Sequence, residues 1–201
     1  MTSWKTISKK YNIKSIDFYQ AGDCNVFTDN IYFCGCDLRC GYCYNKDLWT
    51  ETGKDFTLDE LLKKLDESDN EFVAYMGGEP VRQDINSLTD KLHERNKKVI
   101  LFTGHPNPWL GEFKADYYHV DVKLFSNFIY IEAPFNIKEI TYGLVSTGKD
   151  IDSIEEKFKH IINKDIYIKH SKELPSSYAE TKILREMGAK KLHFNERIKL
   201  I

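Results

Sequence analysis

NIYFCGCDLRCGYCYN, residues 30–45, runs from a short apolar stretch into a loop that carries four of the chain's five cysteines. Residues 30–34 (NIYFC) read as a strand, and the Gly- and Cys-rich residues that follow cannot extend it. The fold turns on whether the rest of the chain has the same form, an apolar run ending in a loop of reactive residues.

Working outward, the form repeats. FVAYM (72–76), KVILF (98–102), YHVDVKLF (118–125), ITYGLV (140–145), DIYIKH (165–170) and KLHFN (191–195) are strand candidates. Helical patterns lie between them. FTLDELLKKLDES has Thr57 as N-cap, Glu60 to complete a capping box, and Phe56 and Leu61 as a hydrophobic staple. Further helical stretches cover Asp84 to about Arg95, a short Pro-bounded piece after residue 102, about 152–163, and 175–187. Strand followed by helix, about six times, predicts an α/β fold with a parallel sheet and right-handed crossovers. A closed eight-stranded barrel takes about 250 residues, so this 201-residue chain predicts a partial, open (βα) barrel in one domain, 1–201. An open doubly wound sheet is the alternative. In both, functional groups collect at the carboxyl edge of the sheet.

Composition bounds the function. Hydrophobic residues make up 41% and aromatics 13%, enough for a sizeable core. A net charge of −2 gives no basic field for nucleic acid. No apolar run approaches the roughly 18–20 residues of a membrane span, and the first residues lack a signal peptide's apolar stretch. The expectation is a cytoplasmic protein, where clustered thiols are metal ligands or redox groups rather than disulfides.

Cys36, Cys40 and Cys43 form C-x3-C-x2-C. Three thiolates on one loop can each hold a different iron of a [4Fe-4S] cluster, leaving the fourth iron open to a substrate; electron-transfer clusters use four cysteines. Cys34 and Cys24 read as buried structural residues. A zinc knuckle is the competing reading, but only Cys40 and Cys43 have its spacing and no second pair lies nearby. A catalytic dithiol at Cys40/Cys43 leaves Cys36 unexplained.

CDLRCGYCYN resembles the cluster loop of radical S-adenosylmethionine (SAM) enzymes, and GCDLRCGYCYNKDLWTETGKDFT resembles the activating proteins of anaerobic ribonucleotide reductase. The resemblance is strongest over 30–80 and extends to about 124. It implies that MGGEP (76–80) receives the amino group of SAM, with the backbone of Gly77 and Gly78 open to the ligand and Glu79 adding charge. It implies a role for Thr103 of FTGHP (102–106) in bonding SAM or shaping its pocket, with His105 near the substrate. Asp121 and Lys123 resemble the Asp-x-Lys element of glycyl-radical activases, where the basic residue interacts with SAM or supports the radical site. Ser146–Gly148 would line the nucleoside end, and Tyr42 would shield the cluster. Trp49 reads as packing, and Lys63/Lys64 and Lys97/Lys98 as solvated element ends. The resemblance further implies reductive cleavage of SAM to a 5′-deoxyadenosyl radical. The electron comes from a flavodoxin- or ferredoxin-like donor, and the radical removes hydrogen from a glycine of a partner glycyl radical enzyme. No side chain need act as general acid or base. The alternative is a small-molecule enzyme such as 7-carboxy-7-deazaguanine synthase, which often has a small hydroxyl residue where this chain has Tyr44. Against the activase stand the last 75 residues, which supply more strands than the shortest activating proteins carry.

Overall fold

The structure is a computed structural model that describes residues 10–21, 24–111, 113–131, 133, 140–146, 151–170 and 178–194. Its strands are β1 (Lys10–Gln20), β2 (Thr28–Phe33), β3 (Lys54–Thr57), β4 (Phe72–Gly77), β5 (Lys98–Thr103), β6 (Tyr117–Asp121), β7 (Ile140–Ser146), β8 (Asp165–His170) and β9 (Leu192–Phe194). Its α-helices are α1 (Leu58–Leu65), α2 (Ile85–His93), α3 (Ile154–Phe158) and α4 (Tyr178–Glu186).

Among the described residues, nine strands join one sheet in the order β3-β1-β2-β4-β5-β6-β7-β8-β9, with β3 and β9 as its outermost strands. Every neighbouring pair from β2 to β9 is parallel. The α/β class and the open, unclosed sheet are therefore as the sequence predicts. The strand count is not. β1 pairs antiparallel with both β2 and β3, and neither strand was read from sequence. Polar residues interrupt the apolar alternation of β1, so that only Tyr11 and Ile13 are buried on it. β3 is four residues long and finds its partner only in tertiary structure.

Local rules place the helices. Thr57 and Glu60 form the expected capping box, and Asp84 caps α2 through the Ser87 amide. Leu61, Leu62 and Leu65 bury the inner stripe of α1, each stabilising the fold by about 1.5–3 kcal/mol. They join the larger core, which lies between the sheet and its helices. A smaller cluster of Cys24, Phe72, Ala74, Ile100 and Tyr167 also forms.

Three expectations change. The strand expected over 118–125 ends at Asp121; the Val122 amide still reaches Gly143 O (2.7 Å), and a turn then closes through Ser126 onto Lys123 O. The helix expected over 152–163 shortens to a 3-10 turn at Ile151–Ser153 and the five residues of α3. Lys97 is buried rather than solvated, because its ammonium donates to the carbonyls of Ser68 (2.9 Å) and Asn70 (2.8 Å). No helix among the described residues is long and apolar enough to cross a membrane.

Candidate active site

At the carboxyl edge of β2 the chain enters the cysteine loop. Gly35 adopts φ +88°, a conformation that favours glycine. Its N–H donates to Leu48 O (2.9 Å) and that of Cys36 to Trp49 O (3.2 Å), folding the loop back on itself. Arg39 reinforces the turn by donating to the carbonyls of Cys36 and Leu38 while its guanidinium lies 5.2 Å from the Trp49 ring. Trp49 is thus a stacking platform for Arg39.

Cys36 and Cys40 are buried and Cys43 is half-buried, and all three line a cavity of about 470 Å³. Burial pushes the Cys36 thiol up to about 11. It also raises the Cys40 thiol, against the opposing charge of Lys123. Ligation by a metal centre would have to displace those protons. Among the described residues no three His, Cys, Asp or Glu side chains are placed to hold a single metal ion. The three thiols line one cavity, as the ligands of a multi-iron cluster would, each iron taking one thiolate.

Cys34 lies elsewhere. Its N–H donates to Asn12 O (2.9 Å), its carbonyl accepts from Gln83 Nε2 (2.9 Å), and its Sγ packs against Gly53. Nothing in the local sequence announced Gln83, which also binds both backbone groups of Asn12 across the β1–β2 pair.

β4 ends at Gly77 and the chain runs on through Gly78 and Glu79; all three line the cavity. They also pack against neighbouring backbone. A Cβ on Gly77 would lie 2.5 Å from Phe33 O, and one on Gly78 2.5 Å from Gly35 O. Gly77 thus permits a close approach to the end of β2, and Gly78 one to the cysteine loop. The amides of Gly78 and Glu79 donate to Phe33 O (2.7 Å) and Gly35 O (2.8 Å); an amino group is received by carbonyl oxygens, on which these two bonds make no demand.

Glu79 is fully buried. It accepts from Thr103 Oγ1 (2.6 Å) and the Gly104 N–H (2.9 Å), and burial raises its pKa despite His105 and these hydrogen bonds. Thr103 Oγ1 also accepts from the His105 N–H (3.0 Å). Glu79 and Thr103 thus brace the ends of β4 and β5 against each other. His105 pairs with Asp37, inside the cysteine loop, at 3.0 Å. Burial works against the imidazolium, but Asp37 and Glu79 outweigh it and raise its pKa; the same hydrogen bond holds Asp37 below the usual carboxylate range.

Asp121 and Lys123 meet at 3.1 Å, and both line the cavity. His119 lies on the same face of β6, 3.6 Å from Asp121. Burial opposes both charges of the pair, yet each holds the other ionised, lowering the Asp121 pKa and raising that of Lys123. The ammonium is 5.8 Å from the Tyr42 ring, which meets Phe125 edge-on. Lys169 of β8, unremarked in the sequence, joins the same cavity; only the sheet order brings it there. Residues 147–150 lie outside the described residues, so the Ser146–Gly148 expectation is not placed.

A loop of three cysteines at the carboxyl edge of an open, mostly parallel sheet defines an iron–sulfur protein with an α/β fold. Residues 26–141 match the 4Fe-4S single cluster domain family, and the chain belongs to that family. Two proteins named 7-carboxy-7-deazaguanine synthase, from Hyperthermus butylicus and Bacteroides thetaiotaomicron, are each 34% identical over 91 and 90 residues. Those stretches cover 43% and 45% of this chain and 39% and 46% of the relatives. The pyruvate formate-lyase-activating enzyme of Clostridium pasteurianum is 56% identical over 36 residues, 17% of this chain and 15% of that protein. The chain thus matches less than half the length of each of these curated relatives. The fold of QueE from Escherichia coli superposes with a TM-score of 0.63 at 16% identity, covering 94% of this chain and 95% of that one. These matches support the radical SAM class and its two cofactors, the [4Fe-4S] cluster and SAM, over the zinc and dithiol readings.

Proposed function

We propose that this chain is a single-domain radical SAM enzyme acting on a small molecule, of the 7-carboxy-7-deazaguanine synthase type. The observation that carries the reading is the C-terminal wall of the cavity. Val145 of β7 and Lys169 of β8 face the same space as the three cysteines, so the strands that a minimal activating protein would not need help to enclose the site. The synthase relatives align over some 90 residues, the activating enzyme over 36.

In this reading Cys36, Cys40 and Cys43 hold the cluster, and Gly77, Gly78, Asp121, Lys123 and Tyr42 border SAM. Glu79 and Thr103 fix the strand ends at the cavity wall. Bound together, the cluster and SAM supply a 5′-deoxyadenosyl radical when an electron arrives from a flavodoxin- or ferredoxin-like donor. The chain's own residues position the groups and exclude water; Tyr42 and Phe125 provide the apolar cover.

The test is expression of this chain in a bacterium deleted for its own 7-carboxy-7-deazaguanine synthase, with that product measured by mass spectrometry. Restoration that depends on Cys36 supports the reading; no product from a cluster-loaded protein contradicts it. Glycyl-radical activation is the second reading. The 56% identity over 36 residues favours it, as do Phe125 and Ile129, exposed apolar side chains close to Tyr42 and Asn107 that a peptide could cover.

A further inference from the structure

We propose that the Asp121–Lys123 pair sets the reduction potential of the cluster, Lys123 raising it and Asp121 holding it down. This rests on the cluster reading of Cys36, Cys40 and Cys43. The pair is built against the cysteine loop from several sides. A Cβ on Gly104 would lie 2.7 Å from Lys123 Cε and 2.6 Å from Leu38 Cδ1, so the lysine stem and a loop side chain flank the same spot. The ammonium faces Tyr42, which stands between Cys40 and Cys43 in sequence. On the other side, a Cβ on Gly143 would lie 2.6 Å from both Asp121 Oδ1 and His119 Nε2. β7 therefore leaves room for the carboxylate and the imidazole, and Thr141 anchors His119 at 2.8 Å.

Reduction adds a negative charge to a cluster. A nearby cation favours the reduced form and a nearby anion the oxidised one, most strongly where water is excluded. The two charges are 3.1 Å apart and largely cancel. The Lys123 side chain is 8% exposed and that of Asp121 41%. Asp121 owes its exposure to the cavity it lines, so both charges face the space beside the cysteines and each is read by removing it alone.

The experiment is an EPR-monitored redox titration of the full chain, reconstituted anaerobically with iron and sulfide and held free of SAM. Lys123→Met is expected to titrate at lower potential than wild type and Asp121→Asn at higher. A tenfold change in the reduced-to-oxidised ratio, about 59 mV for one electron, is the expected scale. The double variant should fall between the two. If Lys123→Met holds no cluster, the upward shift of Asp121→Asn carries the test alone. Unchanged SAM-free potentials, or shifts in one direction for both variants, overturn the proposal and leave the pair as SAM contacts only. A wild-type chain that binds no cluster overturns the functional reading, and this inference with it.

Discussion

Gly78 and Gly35 are packed backbone to backbone. A Cβ on Gly78 would stand 2.5 Å from the Gly35 carbonyl oxygen and 2.8 Å from that of Leu48. The end of β4 and the cysteine loop are thus one rigid unit, and a glycine in one is a condition for the shape of the other. Gly78→Ala must push the loop outward, at a cost of about 2–3 kcal/mol by the usual scale of overpacking. Thermal unfolding should show that loss, and iron content after reconstitution should fall. Unaltered stability with full iron loading would mean that the contact is not rigid.

The cysteines should separate into two classes. Cys36→Ala, Cys40→Ala and Cys43→Ala should each abolish the cluster's visible absorption. Cys34→Ala should keep it, losing about 1 kcal/mol or less for a small cavity beside Gly53. Loss of absorption in the Cys34 variant would place that residue among the ligands.

Glu79 gives a pH signature. Its buried carboxyl has a raised pKa, so ionisation is harder in the folded chain than in the unfolded one. Stability contributed by the protonated form is complete below the unfolded value, near 4.3, and declines as pH rises through the higher folded value. Chemical denaturation across this range should show wild type losing stability relative to Glu79→Gln as pH rises. A difference that is flat with pH would show that the carboxyl titrates normally.

Asp37 ties the cysteine loop to the end of β5 through His105. Asp37→Asn keeps its size but loses the charge, and the half-exposed pair is worth on the order of 1 kcal/mol. The fold should survive with little change in melting temperature, while the reconstituted cluster should be lost faster to a chelator. Equal rates would make the pair a surface contact without consequence for the loop.

Much of this architecture is legible in the chain. Strand β2, the cap at Thr57 and the parallel rhythm from β4 to β8 follow from short-range patterns of apolar and capping residues. The cysteine spacing is equally local. β1 and β3 are not legible, because their alternation is imperfect and their pairing is decided at a distance. The same holds for the inner workings of the site. That Gly77 packs on β2 and Gly78 on the cysteine loop, that Glu79 binds Thr103, and that Lys169 reaches the cavity depend on which strands become neighbours. A motif names residues that matter, whereas their partners emerge only with the sheet.

The central claim is that three cysteines of one loop support reductive cleavage of SAM. It is tested most directly by reconstituting the full chain anaerobically with iron and sulfide, adding dithionite and SAM, and measuring 5′-deoxyadenosine by chromatography. The account predicts 5′-deoxyadenosine from the wild type and none from the Cys36→Ala, Cys40→Ala or Cys43→Ala variants. A cluster-free protein that retains tightly bound zinc, and forms no 5′-deoxyadenosine, would contradict it.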